Sequence, residues 1–257
     1  MTLRLIKYNC RPWLLLTALL FTRIATAQTP EERVLFIGNS FTFYWNVPRM
    51  VEEMATHHKL QWDVDQVTLG GATLAQHWKG ERGLNTRAVL RDKAYDRIIL
   101  QDHSTYPILK PDVTREYVKN FITSIKTHPT KWYFFSTWIY PYLKDKANGP
   151  HPIDDFYRTL EKETGQTVLE VGKVFAAFAK AHPNIRLLTD DDKHTSPQGG
   201  YLIACTIITQ LTGKNPVGLP NRFFSRDIEK QQDIYYNIVQ RPTAKIIQSF
   251  LKAYFKL

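Results

Sequence analysis

Along this chain, short apolar runs that end in glycine or polar clusters alternate with segments of helical length, and that alternation limits what it can fold into. Residues 33–37 (Arg-Val-Leu-Phe-Ile) read as a buried strand closed by Gly38. Residues 61–69 alternate and end at Gly70-Gly71. Residues 96–100, 131–137 and 166–171 give three more strands, with 186–188 as a last short edge strand. Helical patterns fill the gaps at 48–58 (Met50, Val51 and Met54 on one face), 73–91, 111–127, 153–164, 172–182 and 197–211. Strands and helices in this order predict βαβ crossovers and a parallel sheet covered on both faces. The expected fold is therefore α/β, a three-layer α/β/α sandwich. After Gly213 a Pro/Gly-rich loop leads to two more helical patterns, 225–239 and 242–255. These C-terminal helices (214–257) are read as an extension of the same single domain, being too short for their own core.

Residues 1–27 read as a cleavable signal peptide. Arg4, Lys7 and Arg11 precede a short apolar run from Trp13 to Phe21, and Ala25-Thr26-Ala27 offers a small-x-small cleavage site before Gln28. The run is short for a bilayer span. The mature chain, 28–257, is therefore expected to be secreted or periplasmic, with no stable membrane insertion. The leader holds four basic residues and no acids, so its removal lowers the formal charge from +10 to +6. The basic residues are dispersed and form no stripe of the kind that binds nucleic acid, so no nucleic-acid partner is expected. Solubility, or mild attraction to acidic polymers, is the better account. Cys10 leaves with the leader, and Cys205, inside an apolar run, reads as a buried free thiol. There is no disulfide framework and no cysteine metal site.

Ligands of open parallel sheets sit beyond the carboxyl ends of the strands. Here the first three strands end in Gly38-Asn39-Ser40, Gly70-Gly71 and Gln101-Asp102-His103-Ser104, while the fourth runs into Trp138-Ile-Tyr-Pro-Tyr142. Ser40 follows a glycine that permits a tight turn, and it can sit at a helix N-terminus where its alkoxide character is favoured. The bland alternative is an N-cap serine. No Gly-x-Ser-x-Gly elbow surrounds it, so the α/β-hydrolase architecture is not supported. His194 needs a carboxylate to fix its tautomer, and Asp191 lies three residues before it. Asp190 and Asp192 are also near. The same cluster of Asp190, Asp191, Asp192 and His194 has a weaker reading as metal ligands, with no second ligand cluster to support it. Gly71 can offer a backbone N–H to an oxyanion where a side chain would crowd the substrate, and Ser40 can offer its own.

Taken together, Gly-Asn-Ser-Phe-Thr after the first strand, a glycine after the second, a polar cluster after the third and Asp-x-x-His before a late helix resemble the SGNH (GDSL-like) hydrolases. The resemblance runs from about Arg33 to Gly213, and its flavour is that of an uncharacterised secreted bacterial branch with a Gln-rich third block. It implies a flavodoxin-like sandwich with a five-stranded parallel sheet. It also implies Ser40 as nucleophile, His194 as general base and Asp191 as its orienter, with the Ser40 and Gly71 N–H groups in the oxyanion hole. The family's third block usually reads Gly-x-Asn-Asp. Here His103 stands at the asparagine position, so its imidazole is the expected third donor, with Gln101 as the fallback.

The function that follows is a secreted carboxylic ester hydrolase with no cofactor and no metal. Its expected substrate is a small-molecule or polysaccharide ester, with O-acetyl groups on carbohydrate preferred because of the aromatic loop at 138–142. Lipid or lysophospholipid esters are the alternative substrates. A non-catalytic glycan-binding protein on the same scaffold is the alternative of another class.

Overall fold

The computed structural model describes residues 31–125, 128–140, 142–143 and 149–257. The expected leader, 1–27, and its cut after Ala27 lie outside the described residues. Strand β1 (Glu32–Gly38) runs into α1 (Ser40–Phe43), a 3-10 turn at Tyr44–Asn46 and α2 (Val47–His57). β2 (Trp62–Thr68) leads to α3 (Leu74–Lys79) and α4 (Thr86–Asp92), and β3 (Arg97–Leu100) to α5 (Tyr106–Leu109) and α6 (Pro111–Ser124). β4 (Lys131–Phe135) precedes α7 (Pro152–Thr164). β5 (Thr167–Leu169) precedes α8 (Val171–Ala181) and α9 (Pro197–Thr212).

These five strands form one sheet in the order β2-β1-β3-β4-β5, with every pair parallel. The winding reverses between β1 and β3, which opens a crevice at their carboxyl ends. The inner strands β1, β3 and β4 are continuously apolar after their first residues because both faces are covered, whereas the edge strand β2 alternates. Val34, Leu35, Phe36 and Ile37 are all fully buried. Val34 and Phe36 pack with Met50, Phe175 and Tyr201 on one side, whereas Leu35 and Ile37 pack with Phe121, Tyr157 and Leu160 on the other. Each such side chain contributes roughly 1.5–3 kcal/mol by leaving water.

The expected sandwich is present, and three local expectations change. Residues 73–91 are not one helix, because Gly80 and Gly83 adopt positive φ (71° and 78°) and break it around a 3-10 turn at Glu81–Gly83. Residues 186–188 supply only an isolated antiparallel bridge, Leu188 to Thr195, and no edge strand of the sheet.

The third correction concerns the C-terminal helices. Residues 225–239, read as helical, instead belong to an antiparallel hairpin of β6 (Arg222–Asp227) and β7 (Gln232–Ile238). Ile234, Tyr235, Tyr236 and Ile238 are β-branched or aromatic, and their strand preference prevails where so short an apolar pattern fits either period. Only α10 (Arg241–Phe255) remains of the expected helical extension. Tyr236 donates to Glu53 of α2 (2.7 Å), and Asn237 donates to the Pro197 carbonyl (3.2 Å). Gln248 of α10 donates to the Tyr201 hydroxyl (2.6 Å) and the Leu219 carbonyl (2.9 Å). No helix among the described residues is long and apolar enough to cross a membrane.

Candidate active site

The turn after β1 is held from below by buried polar side chains. Gly38 lacks room for a Cβ, which would meet the side chains of Thr42 and Gln101. Asn39, almost fully buried, is the cap of α1 and accepts from the Phe41 N–H (3.2 Å). Ser40 is therefore the first helical residue and not the cap. The Asn39 side-chain amide donates to the Ala72 carbonyl (2.9 Å) and the Asp102 carbonyl (3.4 Å), tying the loops after β2 and β3 to the serine turn.

Gln101 accepts from the Asn39 N–H and from the Thr42 hydroxyl, each at 3.0 Å. It is fully buried and does not line the cleft that holds Ser40. The fallback oxyanion role for Gln101 is thereby overturned: its side chain is committed to bracing the turn.

His77 completes the brace. Its Nε2 donates to the Gly38 carbonyl (2.9 Å), which leaves Nδ1 to accept from the Thr86 hydroxyl (2.7 Å). Burial, opposed by the Gly38 bond, lowers its pKa from 6.5 to about 4, so the ring is neutral. Asp102 accepts from the Leu74 N–H (2.8 Å), the His103 N–H (2.7 Å) and the Thr114 hydroxyl (2.6 Å). Burial pushes its carboxyl above the usual range despite these bonds.

On the opposite side, residues 189–196 bring in the other two groups. His194 Nε2 lies 3.1 Å from Ser40 Oγ, and its Nδ1 lies 2.5 Å from Asp191 Oδ2. Asp191 Oδ1 accepts from the Thr189 hydroxyl (2.7 Å) and from the Lys193 and His194 N–H groups (2.9 Å each). Partial burial raises the Asp191 carboxyl, but the bonds from the His194 side chain and backbone, Thr189 and Lys193 outweigh it. They hold it well below the usual carboxylate range. Of the neighbouring acids, Asp190 pairs with Arg186 at 2.6 Å and leaves the imidazole to Asp191. Among the described residues no group of three or more His, Cys, Asp or Glu side chains is placed to hold a metal ion.

The imidazole is also held by its faces. Tyr44 stacks on His194 (centroids 4.3 Å apart, 12° between planes), and Phe41 meets it edge-on at 5.9 Å. Tyr44 is followed by two residues in the left-handed region, Trp45 (φ 56°) and Asn46 (φ 52°). Trp45 donates its indole N–H to the Thr195 carbonyl (2.6 Å) and lies against Gly200, where a Cβ would come within 2.9 Å of the ring. Ser196 caps α9, accepting from the Gly199 N–H (3.1 Å), so the chain enters that helix directly after His194.

Ser40, Gly71, His103 and His194 share one cleft of about 520 Å³, rimmed by Phe43, Tyr44, Tyr140, Tyr142 and Lys193. Gly71 sits in the turn after β2 with φ 66°. The Ser40 N–H opens α1 and so has no partner within the helix. His103 Nδ1 lies 2.9 Å from the Thr105 hydroxyl and accepts from the Thr105 N–H (3.4 Å). Burial lowers the His103 pKa, with the Asp102 charge opposing, which favours a neutral ring carrying its proton on Nε2. Asn39, His77 and Tyr44 went unread in the sequence, because their partners in the site are distant along the chain and follow no periodic pattern.

No protein-family model matches the chain, and no curated protein does. Solved structures do. A candidate SGNH hydrolase from Slackia heliotrinireducens is 25% identical, with a TM-score of 0.60 over 71% of this chain and all of that one. A DUF4886 family protein from Bacteroides uniformis is 18% identical, with a TM-score of 0.66 over 87% of this chain and 94% of that one. An acetyl xylan esterase is 15% identical, with a TM-score of 0.55 over 70% of this chain and 99% of that one. The fold is thus that of the SGNH hydrolases, as the resemblance in sequence implied.

Proposed function

We propose that this chain, an SGNH-like hydrolase by fold, is an exported serine esterase that hydrolyses carboxylic esters and removes acetyl groups from carbohydrates. The observation that carries this reading is the relay of Ser40 Oγ, His194 and Asp191, with contacts of 3.1 Å and 2.5 Å on the two ring nitrogens.

In the first half-reaction His194 Nε2 takes the Ser40 proton as Oγ attacks the ester carbonyl. The ionised Asp191 stabilises the resulting imidazolium through Nδ1–H. The oxyanion is met by the Ser40 and Gly71 N–H groups and by His103 Nε2–H. Collapse breaks the bond to the alcohol oxygen, which leaves with the proton from His194. In the second half a water gives its proton to His194 and attacks the acyl-serine. Ser40 recovers that proton as the acid departs.

The carbohydrate preference is supported by the aromatic rim, where Tyr140 and Tyr142 stack at 5.5 Å and offer flat faces to sugar rings. The likeness to an acetyl xylan esterase is one of fold and agrees with this preference without carrying it.

The test is turnover of p-nitrophenyl acetate by residues 28–257 against the Ser40→Ala variant. The variant should lose about 10⁴-fold or more in kcat. Equal rates would end the esterase reading. Acetylated oligosaccharides should then exceed long-chain acyl esters in kcat/KM. The reverse order would move the substrate to lipids while leaving the chemistry intact.

A further inference from the structure

A cavity of about 680 Å³, larger than the catalytic cleft, lies between the base of the β6–β7 hairpin and the start of α10. Its wall carries Arg222, Arg241 and Lys245 and no acidic side chain. Among the described residues none of these three cations has an ion-pair partner, whereas Arg226, further along the hairpin, is paired with Asp233 at 2.9 Å. The remaining polar lining includes Asn221, Gln240 and Ser249, neutral groups suited to hydroxyls.

The hairpin adds an aromatic platform beside this cavity. Phe224 and Tyr235 face each other in the strand register with ring centroids 5.4 Å apart, and they are 41% and 46% exposed. Arg222 lies over the Tyr235 ring at 5.9 Å, so one residue belongs to both the platform and the cavity. Exposed apolar faces are unfavourable unless something covers them. Flat rings cover the C–H faces of pyranoses, and unpaired cations draw carboxylates into place.

We propose that this surface is an accessory site for an acidic, carboxylate-bearing polysaccharide, separate from the catalytic cleft. Its place in the fold gives it a use. Asn237 of β7 bonds to Pro197, three residues after His194, so a polymer held on the hairpin is tethered close to the loop that carries the general base. Tethering raises the local concentration of ester groups without any change in the catalytic residues. The binding site does not rest on the esterase reading; only the use just given to it does.

Affinity electrophoresis of the full mature chain, in the Ser40→Ala form so that nothing is cleaved, tests it with polygalacturonate in the gel. Retardation is expected, weakening as salt is added, with none in neutral dextran. Arg222→Gln, Arg241→Gln and Lys245→Gln together should weaken binding about tenfold. In the Ser40 background the same triple change should leave p-nitrophenyl acetate turnover unaltered, which also reports that it folds. A matched variant of exposed lysines elsewhere (Lys59→Gln, Lys131→Gln, Lys180→Gln) should retain retardation. Phe224→Ala with Tyr235→Ala should reduce it severalfold at constant charge. Equal loss in the two charge variants would overturn the proposal. So would equal retardation by dextran, or binding to a single-stranded oligonucleotide as tight as to polygalacturonate.

Discussion

The two halves of the Ser40–His194 pair are held in different ways. Ser40 stands on a buried scaffold of Asn39, Gln101 and His77, all at most 3% exposed, whose bonds reach across the ends of β1, β2 and β3. His194 and Asp191 sit on an outer loop with side chains 26% and 44% exposed, and among the described residues Asp191 draws its bonds only from those within three positions. The proposed nucleophile is thus part of the core's polar wiring, while the proposed base is an attachment clamped by local bonds, by the Tyr44 ring and by two indole N–H groups, Trp45 to the Thr195 carbonyl and Trp138 to the Lys193 carbonyl. A change on the base side should then reach catalysis at a modest cost in stability, and a change on the serine side should cost more stability.

Asp191→Asn is the sharpest test of that division. It should lower kcat on p-nitrophenyl acetate by about 10³–10⁴-fold by removing the charge that supports the imidazolium. The urea midpoint should fall only modestly, because the bonds that hold the Asp191 carboxyl low lie in a half-exposed, solvent-screened loop, and a fall as large as that from a serine-side change would mean that the outer loop is structural after all. His103→Ala should come next, with about a 100-fold fall in kcat and little change in KM, as for a lost oxyanion donor. Unchanged kcat would remove His103 from the hole and leave two backbone donors.

The third prediction concerns pH and the serine side. The folded His77 has a pKa near 4, below its ordinary 6.5, so its contribution is complete above pH 6.5. As the pH falls from 6.5 towards 4, the unfolded chain binds a proton that the folded one refuses. About 3 kcal/mol of stability is lost across that window. Urea midpoints measured along the window should fall in the wild type and flatten in His77→Gln; parallel curves would place the pH dependence elsewhere. The smallest effect is expected from Asn39→Ala, about 2 kcal/mol of stability through the stranded Ala72 carbonyl and the lost helix cap. Calorimetry should show that loss together with reduced turnover. Reduced turnover at unchanged stability would undo the contrast drawn here.

The same division explains what could be read from the sequence. The inner strands are legible because burial on both faces leaves continuous apolar runs, as in Val34 to Ile37, and the edge strand β2 because its residues alternate. Ser40, Gly71, His103, Asp191 and His194 were legible because each follows a strand end or lies within a local Asp-x-x-His, and all but Asp191 line the one cleft that Asp191 reaches through His194. The scaffold beneath was not. Asn39 meets Ala72 33 positions away and Gln101 62 positions away, separations that carry no periodic signal. Gln101 reads as a donor in the sequence because a strand-end amide looks alike whether it turns to the cleft or to the core. The hairpin is illegible in the sequence because its apolar spacing satisfies both periods and nothing local arbitrates between them.

The contact of Trp45 with Gly200 carries a consequence for how such a chain diverges. A methyl group at position 200 would strike the indole, and the indole in turn holds the backbone beside His194 through Thr195. The two positions are therefore bound to a common history. In descendants that keep the large ring, position 200 should stay glycine, and lineages that lose the ring become free to vary there. Such a paired substitution pattern would mark this branch from sequences alone, even where the residues around the serine have drifted.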